Sequence, residues 1–237
     1  IVYPTQSIGY FHGAMVDGVK YFPYERGNTL NNTTKLVTEA SGAAIAGSTL
    51  RGVLCEPQIV NRATNSETLS GWSINGTTSL TIAASSGVSP TGVPSSAVLL
   101  TEDAASTNKY AFVTITGSTD SVQQCCQVYA KAGTRDWLRI NFRNKANATI
   151  KGYYNLSTGT LGTIDSGGTA HIWPVGNGWY LCVLVATSGT GATTPEFQIG
   201  IANANGATTY AGTSGTISVW GAQCHQKEHA ASYIRTA

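Results

Sequence analysis

From Val53 to its C-terminus the chain is a series of short runs rich in Val, Ile, Tyr, Phe, Trp and Thr, each closed by a cluster of Gly, Asn, Ser or Pro. Residues of the first kind suit a pleated, half-buried surface, and clusters of the second kind reverse the chain. The runs recur every 8 to 15 residues or so, roughly the repeat of all-β folds, with no helical stretch between them, which favours antiparallel packing over βαβ units. Strands are predicted over 95–101, 109–116, 122–131, 137–144, 149–156, 171–175, 179–186, 196–202 and 217–224. The implied fold class is all-β: an antiparallel jelly-roll β-sandwich over residues 53–237, preceded by an extended N-terminal arm over residues 1–52.

Alternation can be tested on one strand. Leu138, Ile140 and Phe142 share one face and Trp137, Arg139, Asn141 and Arg143 the other, so the first face is expected to be core and the second wet. Gly159 in Asn155-Leu156-Ser157-Thr158-Gly159-Thr160 and Gly178 in Gly176-Asn177-Gly178 are placed to supply the positive φ of tight hairpin turns. The small-residue stretches 188–194 and 203–215 read as loops between core strands. Trp179 and Trp220 lie in apolar strands and are expected in the core.

Residues 1–52 are of another kind. Tyr3, Tyr10, Phe11, Tyr21, Phe22 and Tyr24 cluster early, and 28–48 is polar and small with no sustained period. An extended segment buries little against itself, so its aromatic side chains are expected to dock on something else. They are the candidate attachment residues.

Composition removes several function classes. Charged residues are 11% of the chain, against about 25% in an ordinary soluble domain, which describes a neutral, hydroxyl-rich β surface. The net charge is +2 and no run of Lys or Arg appears, so no nucleic-acid partner is expected. No stretch approaches the roughly 20 apolar residues of a membrane helix, and the N-terminus lacks a basic region followed by an apolar run. A soluble chain without membrane insertion is expected. The five cysteines, Cys55, Cys125, Cys126, Cys182 and Cys224, lack paired C-x-x-C spacing, so no zinc site is expected. They read as small apolar fillers on strands, or as partners in disulfides within or between subunits.

Catalytic patterns find little support. His225-Gln226-Lys227-Glu228-His229 matches H-x-x-E-H but follows a strand, whereas that zinc chemistry needs its two His one helical turn apart. Glycoside hydrolysis needs two converging carboxylates; the chain has 12 acidic residues, and Asp136, Asp165 and Glu196, the ones beside predicted strands, each suit a strand end. No G-x-S-x-G, P-loop or dinucleotide fingerprint is present. No catalytic residue, cofactor or metal is expected. The stronger candidate is a face: Trp137, Arg139, Asn141 and Arg143, with Tyr153 nearby, combine aromatic rings with amide and guanidinium donors, as a glycan-binding surface does. The alternative is that Trp137 covers the sandwich edge, or that this face meets a neighbouring subunit.

Four blocks carry a resemblance. Gly52-Val53-Leu54-Cys55-Glu56-Pro57 leads to Asn61, Asn65-Ser66-Glu67 and Trp72; Tyr153-Tyr154-Asn155-Leu156-Ser157-Thr158-Gly159-Thr160-Leu161-Gly162 follows; then Val175-Gly176-Asn177-Gly178-Trp179-Tyr180-Leu181-Cys182; then Trp220-Gly221-Ala222-Gln223 ahead of Ala231-Ser232-Tyr233-Ile234. In this order they resemble the bacteriophage head spike fibre domain and related tail-fibre modules, over roughly residues 50–237. The resemblance implies a carbohydrate-binding-module-like jelly roll. This chain has Asn155 where the family usually has an acidic residue, and Cys224-His225 in place of a Leu-Glu pair. The resemblance implies a non-catalytic virion structural protein at the virion surface, a head spike, capsid decoration or fibre module. Its partners would be other capsid or tail proteins, its own copies in a homotrimer, and host-surface glycan. The alternatives are a tail-fibre receptor-binding module and a fragment of a polysaccharide depolymerase.

Overall fold

The computed structural model describes residues 59–76 and 78–237. The arm, its six attachment aromatics, Cys55 and the boundary expected at residues 52 and 53 lie outside the described residues.

The described chain is all-β. In order, its strands are β1 (Ser73–Ile74), β2 (Leu80–Ala83), β3 (Val98–Glu102), β4 (Ser106–Asn108), β5 (Tyr110–Thr114), β6 (Gln123–Ala132), β7 (Trp137–Arg143), β8 (Thr149–Asn155), β9 (Thr160–Ile164), β10 (Gly168–Gly176), β11 (Trp179–Thr187), β12 (Glu196–Ala202), β13 (Thr209–Ala211) and β14 (Thr216–His225). Every pairing is antiparallel. One six-stranded sheet runs β1-β5-β12-β7-β8-β9, a second runs β10-β11-β6-β14-β3-β2, and β13-β4 form a small ribbon. The chain changes sheet between β1 and β2, β3 and β5, β5 and β6, β6 and β7, β9 and β10, β11 and β12, and β12 and β14. That repeated crossing makes the sandwich a jelly roll. All nine strands expected from the sequence are present. The 203–215 loop expectation is corrected in part, because Thr209–Ala211 pairs with Ser106–Asn108.

The core lies between the two sheets. Leu138, Ile140 and Phe142 of β7 and Phe197, Ile199 and Ile201 of β12 face Val128, Leu184, Ile217 and Val219 of the other sheet, all fully buried. Each such side chain contributes about 1.5–3 kcal/mol on burial. Trp179 and Trp220 are buried as expected but not in this core: with Ala97, Tyr129 and Tyr233 they form a separate cluster. The strand alternation explains it, since Val219 points into the sandwich and Trp220 therefore points out of it.

That outer cluster is covered by the chain's own C-terminal segment. Gln127 and Gln223, neighbouring residues in the β6–β14 register that are both fully buried, bind its backbone with their side-chain amides. Gln127 Nε2 donates to Ala231 O (2.8 Å) and Gln127 Oε1 accepts from Ala231 N (3.1 Å). Gln223 Nε2 donates to Ser232 O (3.2 Å) and Gln223 Oε1 accepts from Ile234 N (2.7 Å). Tyr233 packs on Trp220 with ring centroids 4.6 Å apart, and its hydroxyl shares a hydrogen bond with Ser66 Oγ. Asn61 donates to both Ala222 O and Ile234 O, so the first described residues and the last are tied to β14 together. Gly221 sits in a β-bulge between Trp220 and Gln223 with φ +65°, where a Cβ would come within 3.3 Å of both Tyr129 and Tyr233.

Where β3 ends and β14 begins, Glu102 is buried and gathers the loops. Its Oε1 accepts from Arg135 Nε (3.0 Å), Arg135 Nη2 (2.6 Å), Thr213 N (2.9 Å) and Gly215 N (3.2 Å), and its Oε2 accepts from Tyr210 Oη (2.6 Å). Burial by itself would raise this carboxyl, but the hydrogen bonds from Arg135, Tyr210 and Thr213 more than offset it and hold Glu102 below its ordinary 4.5.

Candidate functional site

Apart from Phe112, the outward residues of the β5-β12-β7-β8 surface are polar, and the strand register sets them in rows. Phe112, Gln198, Asn141 and Lys151 stand side by side in one row, and Thr114, Glu196, Arg143 and Thr149 in the next. A groove of about 420 Å³ lies over these rows, with Tyr110 and Phe112 on one side, Lys151 and Thr149 on the other, and Asn75 and Asn108 closing it.

Its floor is a chain of hydrogen bonds. Arg143 Nη1 donates to Asn147 Oδ1 (2.9 Å), while Arg143 Nη2 is paired with Glu196. Gln198 Nε2 donates to Glu196 Oε2 (2.9 Å), and Asn141 Nδ2 donates to Gln198 Oε1 (2.8 Å). Lys151 Nζ is neutralised by Asp165 at 2.7 Å. The floor therefore holds fixed dipoles and matched charges rather than a field of one sign. Its last acceptor, Asn141 Oδ1, has no partner, nor has Arg143 Nε.

Beneath one wall lies Arg139, fully buried. Its guanidinium donates to Asn108 Oδ1 and to Thr208 O, and lies 5.7 Å from the ring centre of Tyr110. This contact fixes the Tyr110 ring. Burial and then Glu196 push the Tyr110 hydroxyl above its ordinary 10.0, with Arg139 and Arg143 opposing, so it keeps its proton. Gly200 makes room: a Cβ there would stand 2.4 Å from Lys109 O and 3.2 Å from Arg139 Nη2.

The five residues proposed from the sequence separate here. Asn141 and Arg143 line the groove. The expectation of a wet face is corrected for Arg139 and Asn141, which are buried, as is the nearby Tyr153: one wide sheet places them between neighbouring strands, and Thr208 O accepts from Arg139. Trp137 is half-buried at the end of the face. Its ring and Asn205 occupy the space that a side chain on Gly162 would need, and Asn205 Oδ1 accepts from Thr163 N (2.7 Å). Trp137 thus covers an edge, and Tyr153 lies beside Arg139 in the register. Sequence reasoning missed Tyr110, Phe112, Gln198 and Lys151 as groove residues, and placed Glu196 at a strand end without its neighbours. Their alternation was readable; which strands are neighbours was not.

Among the described residues that line the groove, the buried atoms Asn141 Oδ1 and Arg143 Nε have no hydrogen-bond partner, while Arg139 and Tyr153, outside its lining, bond to each other. Buried polar atoms are ordinarily satisfied, so these two mark where the hydrogen bonding of the groove floor is incomplete. The H-x-x-E-H stretch is elsewhere and is not helical: His225 ends β14 and its Nε2 pairs with the backbone oxygen of His229 (3.1 Å).

No family model matches the sequence, and no curated protein matches it. Among solved structures, the chain is similar to the enzymatically active domain of tailspike protein 4 of bacteriophage CBA120, with 16% identity and a TM-score of 0.39 over 70% of this chain and 21% of that one. It is also similar to TmCBM27, a carbohydrate-binding module described for specific mannan recognition, with 14% identity and a TM-score of 0.35 over 72% of this chain and 96% of that one. The chain thus spans about a fifth of the tailspike chain's length.

Proposed function

We propose that this chain is a non-catalytic bacteriophage virion protein, a head spike, decoration or fibre module, whose sandwich adheres to host-surface glycan through the β5-β12-β7-β8 groove. The observation that supports the binding half is the groove itself, in which the Tyr110 and Phe112 rings stand beside a floor of amide, guanidinium and ammonium groups. Sugar hydroxyls both donate and accept. They can bond to the amide, guanidinium and ammonium groups that line the groove, with the Tyr110 and Phe112 rings, 6.0 Å apart, offering apolar surface to the sugar ring. The matched ion pairs Arg143–Glu196 and Lys151–Asp165 suit a neutral sugar.

Binding is favoured over cleavage because, among the described residues, Glu196 is the one carboxylate lining the groove and is engaged by Arg143, whereas hydrolysis needs two carboxylates placed about 5–10 Å apart across the bond. The virion half rests on the order of the four sequence blocks, with the arm of residues 1–52 as the anchor and a trimer as the assembly.

The test is adsorption to host cells and binding to a glycan array. Asn141→Ala and Phe112→Ala should each weaken glycan binding about tenfold or more, in line with the loss of one hydrogen bond to a buried acceptor or one ring contact. An array with no hits, or unchanged adsorption by both variants, would remove the adhesive reading. Release of reducing ends from host polysaccharide would replace it with the depolymerase.

A further inference from the structure

Cys126 of β6 and Cys224 of β14 stand directly opposite each other in the register, both turned into the core, with their Sγ atoms 3.3 Å apart. The backbone shows which kind of pair they form. In an antiparallel ladder the N–H and C=O of one residue point to the same flank, so opposed residues alternate between hydrogen-bonded and non-hydrogen-bonded pairs. The N–H of Cys224 donates to Asn61 Oδ1 (3.0 Å), and its C=O accepts from Arg62 N (2.8 Å). Both point away from β6. Cys126 and Cys224 are therefore a non-hydrogen-bonded pair, the kind in which Cα atoms approach to about 4.5 Å, within the roughly 4.4–6.8 Å that a disulfide spans. The other described cysteines are placed differently: Cys125 faces the opposite side of the sheet with Val183 and Val185, and Cys182 stands opposite Val128.

We propose that Cys126 and Cys224 become joined by a disulfide when the chain folds in an oxidising medium, a covalent tie between the two central strands of the β10-β11-β6-β14-β3-β2 sheet. The co-reactant is a small-molecule disulfide such as oxidised glutathione. One cysteine thiolate attacks it, forming a mixed disulfide and releasing one glutathione thiol. The second cysteine thiolate then displaces the other glutathione. The protein loses two protons and two electrons, and one oxidised glutathione becomes two reduced molecules. Both sulfurs are fully buried in the finished sandwich, and burial raises the Cys126 thiol well above its ordinary value. The exchange therefore belongs to folding, before the sheets close.

The experiment refolds the denatured full chain in a mixture of oxidised and reduced glutathione, alkylates the remaining thiols, and maps the products by mass spectrometry, with fragmentation between Cys125 and Cys126. Before alkylation the expected product is about two mass units lighter than chain refolded with dithiothreitol, in keeping with loss of the two thiol hydrogens. It should carry a linked peptide pair that joins Cys126 to Cys224. Cys125→Ser should keep the link and Cys224→Ser should lose it. The oxidised chain should also melt several degrees higher, since the bond closes a loop between residues 98 apart. Alkylation of both Cys126 and Cys224 after oxidative refolding would overturn the proposal. So would a link from either one to Cys125, Cys182 or Cys55, or an oxidised product that lacks the sheet signal of the reduced protein. The wild-type map decides the matter even if a serine variant fails to fold.

Discussion

Single residues here hold positions that composition would not suggest. Gly221 is the clearest: its φ of +65° places the bulge that lets Trp220 point outward while Ala222 still points inward. Gly221→Ala should cost about 1–2 kcal/mol for the left-handed conformation, with further loss if the Tyr129 and Tyr233 rings must shift; urea unfolding of the variant measures it. Glu102 gives a pH signature. Its carboxyl is held below 4.5 in the folded chain, so its contribution is fully present above that pH and lost as pH falls through the lower, folded value. Glu102→Gln should reduce stability near neutrality by about 3 kcal/mol, because Arg135 loses its partly buried counter-charge. It should also flatten the acid limb of the stability curve. Unfolding midpoints from pH 7 down to pH 3 test both. At this scale the sequence was only partly legible. Asn141 and Arg143 could be singled out because they alternate with Leu138, Ile140 and Phe142, yet the burial of Arg139 depends on Gly200 and Asn108, which come from other strands.

Strands and turns were more legible than residues. The nine strands expected from the sequence announce themselves by β-branched and aromatic residues, and the β10–β11 hairpin by Asn177-Gly178, whose φ values of 51° and 78° suit a two-residue turn. The β1, β2, β4, β9 and β13 strands are two to five residues long, and sequences such as Ser106-Thr107-Asn108 are indistinguishable from loop until a partner strand supplies hydrogen bonds. The C-terminal segment was least legible. Nothing periodic marks 226–237, and its place is set by Gln127 and Gln223, which sit in strands that read simply as β. Gln223→Ala would leave Ile234 N and Ser232 O without their side-chain partners, at a cost of about 1–3 kcal/mol. Hydrogen exchange at residues 231–234 should accelerate strongly, and tryptophan emission should shift as Tyr233 leaves Trp220. Unchanged exchange there would mean that other contacts hold the segment.

For the whole molecule, the two sheets divide the work. One outer face is covered by the chain's own terminal segment, and the other holds the groove with its unsatisfied atoms. If the arm is the anchor and acts independently of the groove, removing residues 1–52 should abolish incorporation into particles while leaving glycan binding by the sandwich within about twofold. Co-sedimentation with particles and glycan titration read the two effects separately.

The tie that Asn61 makes to both Ala222 and Ile234 has a consequence for how such a body can be used. Asn61 and Ile234 lie a single hydrogen bond apart, so the described sandwich is a bead in which these two points of the chain meet. A bead of this kind can be set into a surface loop of an unrelated scaffold with little added closure entropy. Tension applied between those two residues would load the Asn61 bond and the glutamine clamp first, peeling the terminal segment from β14 before the sheets between them feel the pull.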